Sequence, residues 1–448
     1  MSMAVGIREP YGILRLMTAP SEQTPAPRGR WVAFAPLRHR NFALVWFAAL
    51  VSNVGTWMET VAVGDLVAHR TGRAGWTALV AAAGFLPMGL LGPIGGAMAD
   101  RLDRRRLVIT MTLLQMLAAA ALTVLSISGH ASPGAVTFVV FVAGCVAGLG
   151  FPAYSAMLPD LVPTEDLLAA VSLSQAQWNL GRVIGPALAG IAIALGSYSA
   201  AFAVNTLSFA AMLLALRALR LATRPPPTDD ASLWTRIRVG ARAARAEPGV
   251  SSAILMIAVV ALTASPFIAL IPAMARVRFD GDANLTSWFV TAQGVGAVAG
   301  ALLLPVFAAR FGRFRMLMAS FVLLPAALVL YGFAPSAGLA AAALVAVGAT
   351  YMLVFSGIGT VVQLRAPAEL RARVLSFYFL ALGVLYPVGA TLQGPLADRF
   401  GLGRVTVASG LALLVVVGLL RVLRPNRLRA LDDPSAGLYE DLSASGVR

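Results

Sequence analysis

Residues Gly95 to Arg106 read GGAMADRLDRRR. Small apolar residues run straight into an acid and a cluster of arginines, and the stretch before them, Trp76 to Ala99, carries no charge at all. An apolar run of about 20 residues is long enough to cross a bilayer as a helix, so the charged cluster marks the point where such a helix leaves the hydrocarbon. The same switch recurs along the chain. By this length criterion twelve spans are expected, near 41–67, 77–99, 106–128, 135–157, 168–194, 197–217, 250–275, 285–309, 314–333, 338–362, 373–397 and 401–423.

Composition agrees with that reading. The 448 residues are 58% hydrophobic and only 12% charged, against roughly 25% charged in a soluble globular domain. The formal net charge is +15, and all 35 basic residues are arginine. The arginines sit in short polar breaks between apolar runs, where cytoplasmic loops concentrate positive charge. A nucleic-acid-binding face would need a soluble basic domain, and no such domain is present, so no nucleic-acid partner is expected. The one cysteine, Cys145, lies inside an apolar run; it excludes an intrachain disulfide and reads as a small buried hydrophobe. His39, His69 and His130 fall at span ends, which argues against a zinc centre. No metal and no cofactor is expected.

The longest polar break, Arg217 to Pro248, contains TRPPPTDDASLWTRIRVGARAARAEP and divides the spans into six plus six. The expected organisation is an N-terminal tail over 1–40, a six-helix bundle over 41–217, a linker over 218–249, a second six-helix bundle over 250–424 and a C-terminal tail over 425–448. The tail 1–40 lacks the charged, apolar, cleavage-site order of a signal peptide. With the N-terminus inside, both tails, the linker and every second loop hold most of the arginines. Arg70, Arg73, Arg276, Arg278, Arg399 and Arg404 lie on the other side, and Arg182 falls within a span. Both termini and the linker are therefore expected in the cytoplasm. Spans two, five, eight and eleven are all rich in glycine and proline, a recurrence at every third span. Three-helix inverted repeats nested in two six-helix halves are the build of one large transporter class.

Two motifs carry a resemblance to a known family. Gly96 to Arg105, GAMADRLDRR, resembles the major facilitator signature G-x-x-x-D-R-x-x-R-R between the second and third helices, on Gly96, Asp100, Arg101, Arg104 and Arg105. Gly181 to Gly190, GRVIGPALAG, is similar to the fifth-helix G-x-x-x-G-P motif associated mainly with antiporters, on Gly181, Gly185, Pro186 and Gly190. The surrounding GTWMETVA and LPDLVPTEDLLAA resemble the branch that includes the enterobactin exporter and its drug-efflux-like relatives. The resemblance covers residues 36–425 and implies an all-α membrane transporter of twelve helices, expected as a monomer; arginine without lysine and abundant alanine point to a GC-rich bacterial genome, so the bacterial cytoplasmic membrane is the expected location. The resemblance further implies proton-coupled efflux of a small amphipathic compound, drug or siderophore in type, by alternating access; proton-coupled uptake on the same fold is the alternative. Two departures stand out. The loop after span eight, FAARFGRFR, has Ala309 where the signature acid would be, and span four contains no arginine.

Within that frame the opening motif reads as a latch. Glycines at 92, 95 and 96 would let the end of span two approach a neighbouring helix, and Asp100 would bond the start of span eleven, near Arg371 and Arg373, when the cytoplasmic side closes. The arginines also fix topology. Charges inside spans are costly and usually functional. Glu59 lies near Asn53, Thr56 and Thr60 in span one. Arg182 completes a stripe with Ser172, Gln175 and Asn179 at helical spacing in span five. These residues are the candidates for coupling or substrate contact in a central cavity, together with Tyr386 and, more weakly, Gln293, Tyr351, Gln363, Tyr378 and Gln393. A Glu59–Arg182 interaction is open on this placement, whereas Asp65, beside His69 and Arg70, reads as interfacial. No Walker-type phosphate loop occurs, and the chain lacks the lysine one would need. An embedded enzyme would require convergent acid and histidine groups at one depth, so no enzymatic activity is expected.

Overall fold

The computed structural model describes residues 32–219, 233–366 and 370–432. The tail over 1–31, the linker over 220–232 and the C-terminal stretch over 433–448 lie outside the described residues, as does the side chain of Arg373.

Among the described residues, twelve helices are long and apolar enough to cross a membrane. The first six are Arg40–Thr71, Ala74–Arg101, Arg104–Ile127, Pro133–Asp160, Ala169–Leu195 and Ser197–Ala218. The second six are Pro248–Arg278, Ala283–Phe311, Arg313–Phe333, Ala337–Arg365, Val374–Phe400 and Leu402–Leu423. Each coincides with an apolar run in the sequence to within a few residues. Because the number is even, residues 40 and 423 emerge on one face of the bundle, the tail face, as do Ala218 and Pro248 at the ends of spans six and seven. The opposite surface is the far face.

Local chemistry sets the helix ends. Asp103, Ser132, Asp282 and Ser336 each accept a backbone N–H three residues ahead and so cap spans three, four, eight and ten, satisfying donors that a helix start leaves open. Spans five and six join without a loop. Their shared helix is interrupted only at Ser197, whose φ of 73° and ψ of 179° form a backbone conformation that an L side chain rarely adopts. Such a residue costs on the order of 1–3 kcal/mol and persists when its surroundings require it. Span seven is also broken: its regular helix ends at Thr263, a second segment runs Phe267–Ala273, and a π-turn follows over Met274–Arg278.

The linker is not wholly irregular, since Leu233–Ala246 forms a helix. Gly240 and Ala244 are buried on it, while Arg238, Arg242 and Arg245 are exposed, so its small-residue side meets protein and those three arginines face outward.

Packing repeats between the halves. Span two crosses span four so closely that a Cβ on Gly148 would sit 2.9 Å from the Met88 Cα. Span eight crosses span ten in the same way, where a Cβ on Gly300 would lie 2.9 Å from the Ala349 Cα. The recurrence of glycine in these spans thus answers a steric need at equivalent crossings. Phe267, Phe289, Phe321 and Tyr331 fill the core of the second half. Leu195, Leu207, Ile127 and Val422 stand well exposed on the outside, as apolar side chains do in a lipid belt.

Candidate functional site

Span two and span eleven meet at the middle of the bundle. A Cβ on Gly89 would sit 2.9 Å from the Gly383 carbonyl carbon, and the Phe85 and Tyr386 rings pack edge to face at 5.4 Å. Gly92, Gly96 and Asp100 follow Gly89 at i+3, i+7 and i+11, so they share its face of the helix. A Cβ on Gly92 or on Gly96 would meet nothing within 4 Å. The halves therefore touch at Gly89 and diverge toward the tail face. This corrects the expectation of close approach at all three motif glycines. Gly95 alone has it, with a Cβ position 2.6 Å from the Leu149 carbonyl oxygen, and its neighbour is span four of the same half.

Arg104 and Arg105 of the motif bind within the first half. Arg104 donates to the Ala156 carbonyl at 3.1 Å and pairs with Asp160 at 3.4 Å. Arg105 donates to the carbonyls of Leu216 and Arg217, each at 3.0 Å. Spans four and six both end at this face, so the two arginines satisfy carbonyls that helix C-termini leave open and complement their partial negative charge. Asp103 accepts the Arg106 N–H at 2.7 Å. Asp100 and the exposed Arg101 lie at the same tail-face corner.

At the far face the halves are joined by hydrogen bonds. Asp65 of span one is completely buried. Its carboxylate accepts Arg276 Nε at 2.8 Å and Nη2 at 2.6 Å, Tyr198 Oη at 2.7 Å and Thr286 Oγ1 at 2.6 Å. Arg276 also donates to the Gly281 carbonyl. The break at Ser197 delivers Tyr198 to this cluster, and the π-turn carries Arg276, in keeping with the frequent use of π-turns at functional positions. Nearby, Asp398 at the end of span eleven accepts the N–H groups of Ala74 and Gly75 at 2.6 and 2.9 Å, capping span two from the other half. Asp65 and Arg276 are a bidentate pair with the remaining acceptor sites filled. Asp65 was read from sequence as merely interfacial, and Arg276, Tyr198, Thr286 and Asp398 were missed. The available signal was an aspartate inside an apolar run.

In the centre, Arg182 donates to Gln293 Oε1 at 3.1 Å across the two halves and lies over the Trp57 ring at 5.6 Å. No carboxylate among the described residues forms an ion pair with it. Glu59 points elsewhere: it accepts Asn205 Nδ2 at 2.7 Å, and Ser208 in turn donates to Asn205 Oδ1 at 3.0 Å. Glu59 thus lies inside the first half, between spans one and six, and the pair with Arg182 does not form. Asn53 is also committed, donating to the Gln177 and Trp178 carbonyls at 3.2 and 3.1 Å, while Gln177 returns a bond to Ala49 at 2.7 Å. These bonds clamp span one to span five, so Asn53 is a packing group more than a cavity group. Gly181 and Gly185 make the clamp possible, since Cβ atoms there would collide with Asn53 and Trp57; Gly190 instead faces Ser287 of the other half at 3.0 Å. Asn179 donates back to the Gln175 carbonyl at 2.9 Å, and Gln175 is exposed. Tyr351 shares a hydrogen bond with Ser265 at 3.1 Å, and Gln393 donates to the Leu262 and Thr263 carbonyls.

Comparison with known proteins bears on this arrangement. Residues 31–444 match the family model described as transmembrane secretion effector. The chain is 30% identical over 398 residues to the multidrug efflux pump Tap of Mycolicibacterium fortuitum, covering 87% of this chain and 96% of that protein. It is 24% identical to macrolide efflux protein A of Streptococcus pyogenes over 87% of this chain and 97% of that one. Among solved structures, a bacterial homologue of the lysosomal transporter Spinster in an inward-facing conformation superposes with a TM-score of 0.69 at 14% identity, over 88% and 99% of the two chains. A bacterial homologue of ferroportin, also inward-facing, gives 0.64 at 18% identity over 85% and 98%.

Proposed function

Since this chain belongs to the transmembrane secretion effector family of the major facilitator transporters, we propose that it exports small amphipathic compounds from the cytoplasm by alternating access, driven by proton entry. The tail face is then the cytoplasmic face, a placement supported by the concentration of arginine in its loops and tails. The observation that carries the reading is the glycine stripe of span two. It is in contact with span eleven at Gly89 and faces open space at Gly92 and Gly96, while Asp65 and Asp398 hold the far ends together. These contacts support a reading in which two halves pivot about their middle, with the cytoplasmic side open.

On this reading Asp100, on the same face as the open glycines, engages the start of span eleven when the cytoplasmic side closes. One or two charge-assisted hydrogen bonds of about 1.5–3 kcal/mol each are enough to shift a two-state equilibrium appreciably. Glu59, a carboxylate in mid-span bonded to a neutral amide, is the group proposed to carry the proton.

The test is accumulation of an uncharged amphipathic dye, Nile red, in a host lacking its own exporters. Cells expressing the protein are expected to accumulate less than cells without it, and an uncoupler should abolish the difference. Equal accumulation in both strains would remove the efflux reading for this compound class, and an uncoupler-insensitive difference would remove proton coupling.

A further inference from the structure

Two buried hydrogen-bond donors at the centre of the molecule lack an acceptor, and both lie against Arg182; of the buried acceptors there, the Asn53 Oδ1 is also unpaired. Gln293 is almost fully buried, and its Oε1 is taken by Arg182 while its Nε2 has no partner. The Trp57 indole Nε1, against which Arg182 stacks, is also buried and unpaired. Arg182 itself has only donors to offer, and among the described residues its hydrogen-bond partner is the neutral Gln293. The carboxylates that might have balanced it are occupied: Glu59 with Asn205 and Asp65 with Arg276. Buried polar groups are ordinarily satisfied, and each exception calls for an explanation.

Toward the tail face the surroundings turn aromatic. Trp57 and Trp178 meet edge to face at 6.3 Å, and Trp178 meets Phe151 at 6.2 Å. Trp178 and Phe151 are 42% and 47% exposed, so this aromatic wall is reachable from outside and leads up to the guanidinium.

Building on the transport reading, we propose that Arg182, Gln293 and Trp57 form the head-group site for an anionic amphiphile. Its carboxylate or comparable oxyanion accepts from the guanidinium, the free amide N–H and the indole N–H, while its aromatic or apolar body lies along Trp178 and Phe151. A cationic head group would meet like charge and three donors, and a neutral ester would lose the charge-assisted bonds. Arg182 can present a two-pronged donor edge to a carboxylate, which lysine cannot.

The experiment is equilibrium binding to the full-length protein in lipid nanodiscs, corrected with empty nanodiscs, using 2-naphthylacetate, its methyl ester and 2-(2-naphthyl)ethylamine. The carboxylate should bind at least about ten-fold more tightly than either analogue, as expected for a charge-assisted bond to a buried arginine. Arg182→Gln should abolish that preference and Arg182→Lys should restore part of it. Trp57→Phe, which keeps the ring and removes the N–H, should weaken the carboxylate and leave the ester unchanged. Equal binding of the three probes, binding by none, or a carboxylate preference that survives Arg182→Gln overturns the inference. Export is scored separately: if the amine or ester is carried out of cells, the transport reading stands while the anion preference falls.

Discussion

Asp65 and Arg182 are both charges built into membrane-spanning helices, and the molecule treats them in opposite ways. Asp65 receives hydrogen bonds from Arg276, Tyr198 and Thr286, so its charge is neutralised and its acceptor sites filled. Arg182 receives a neutral amide and the face of an indole ring, leaving its charge uncompensated. A saturated cluster between the halves has nothing left to offer a ligand and serves to hold two helices together. An unsaturated one holds binding capacity in reserve. The contrast assigns closure to the far end and recognition to the centre.

The largest effect is expected from breaking the saturated side. Arg276→Met leaves the Asp65 carboxylate buried without its cation, a change that costs about 3–5 kcal/mol. It should lower the unfolding midpoint of the purified protein, read by intrinsic fluorescence, far more than Arg182→Met does, because Arg182 has no buried acid to strand. Equal losses from the two variants would erase the distinction drawn between the clusters.

A sharper and smaller contrast lies within the motif loop. Gly95→Val places methyl groups against the carbonyls of Gly148 and Leu149, an overpacking expected to cost about 1–3 kcal/mol. Gly96→Ala enters open space and should leave stability within about 0.5 kcal/mol of wild type. If the two behave alike in thermal unfolding, the close face of span two has been assigned to the wrong glycine.

The smallest effect concerns Asp282, which caps span eight just outside the membrane-spanning segment. Its carboxyl is held below the ordinary carboxylate range, first by the Leu285 backbone N–H and then by Asn284. A lowered folded-state value means that the contribution is present above the unfolded pKa and is lost as pH falls through the folded one. Asp282 is largely exposed, so the effect is less than about 1 kcal/mol. Asp282→Asn, which keeps an N-capping oxygen, should remove that acid-side loss in unfolding curves taken from pH 6 to pH 3.

The twelve spans were legible because each obeys a local rule: a predominantly apolar run of sufficient length, bounded by polar residues, proline or glycine. The six-plus-six division was legible in the same way, from one long polar break. The partnerships were not. Asp65 and Arg276 are 211 residues apart, and Glu59 and Asn205 are 146 apart; no periodicity within a single helix encodes which of them meet. The sequence pattern placed Glu59 and Arg182 in one cavity because both are charges at similar depth, but rotation about span one sends Glu59 to span six. The motif glycines illustrate the same limit. Gly95 and Gly96 are adjacent in sequence, yet one residue is about 100° around a helix, and only the packed structure reveals which of them touches span four. Arg104 and Arg105 read from sequence as topology signals; their second use, satisfying the ends of spans four and six, depends on where those helices finish.

The central claim is that the Asp65 cluster holds the far ends of the halves together while the tail ends separate. Spin labels at His130→Cys and Pro335→Cys, both exposed on far-face loops of opposite halves, report that closure directly in a Cys145→Ser background. Distances measured by double electron–electron resonance should form one short population in the otherwise unaltered protein, and Asp65→Asn should add a longer one. An unchanged distance distribution in Asp65→Asn would contradict the account.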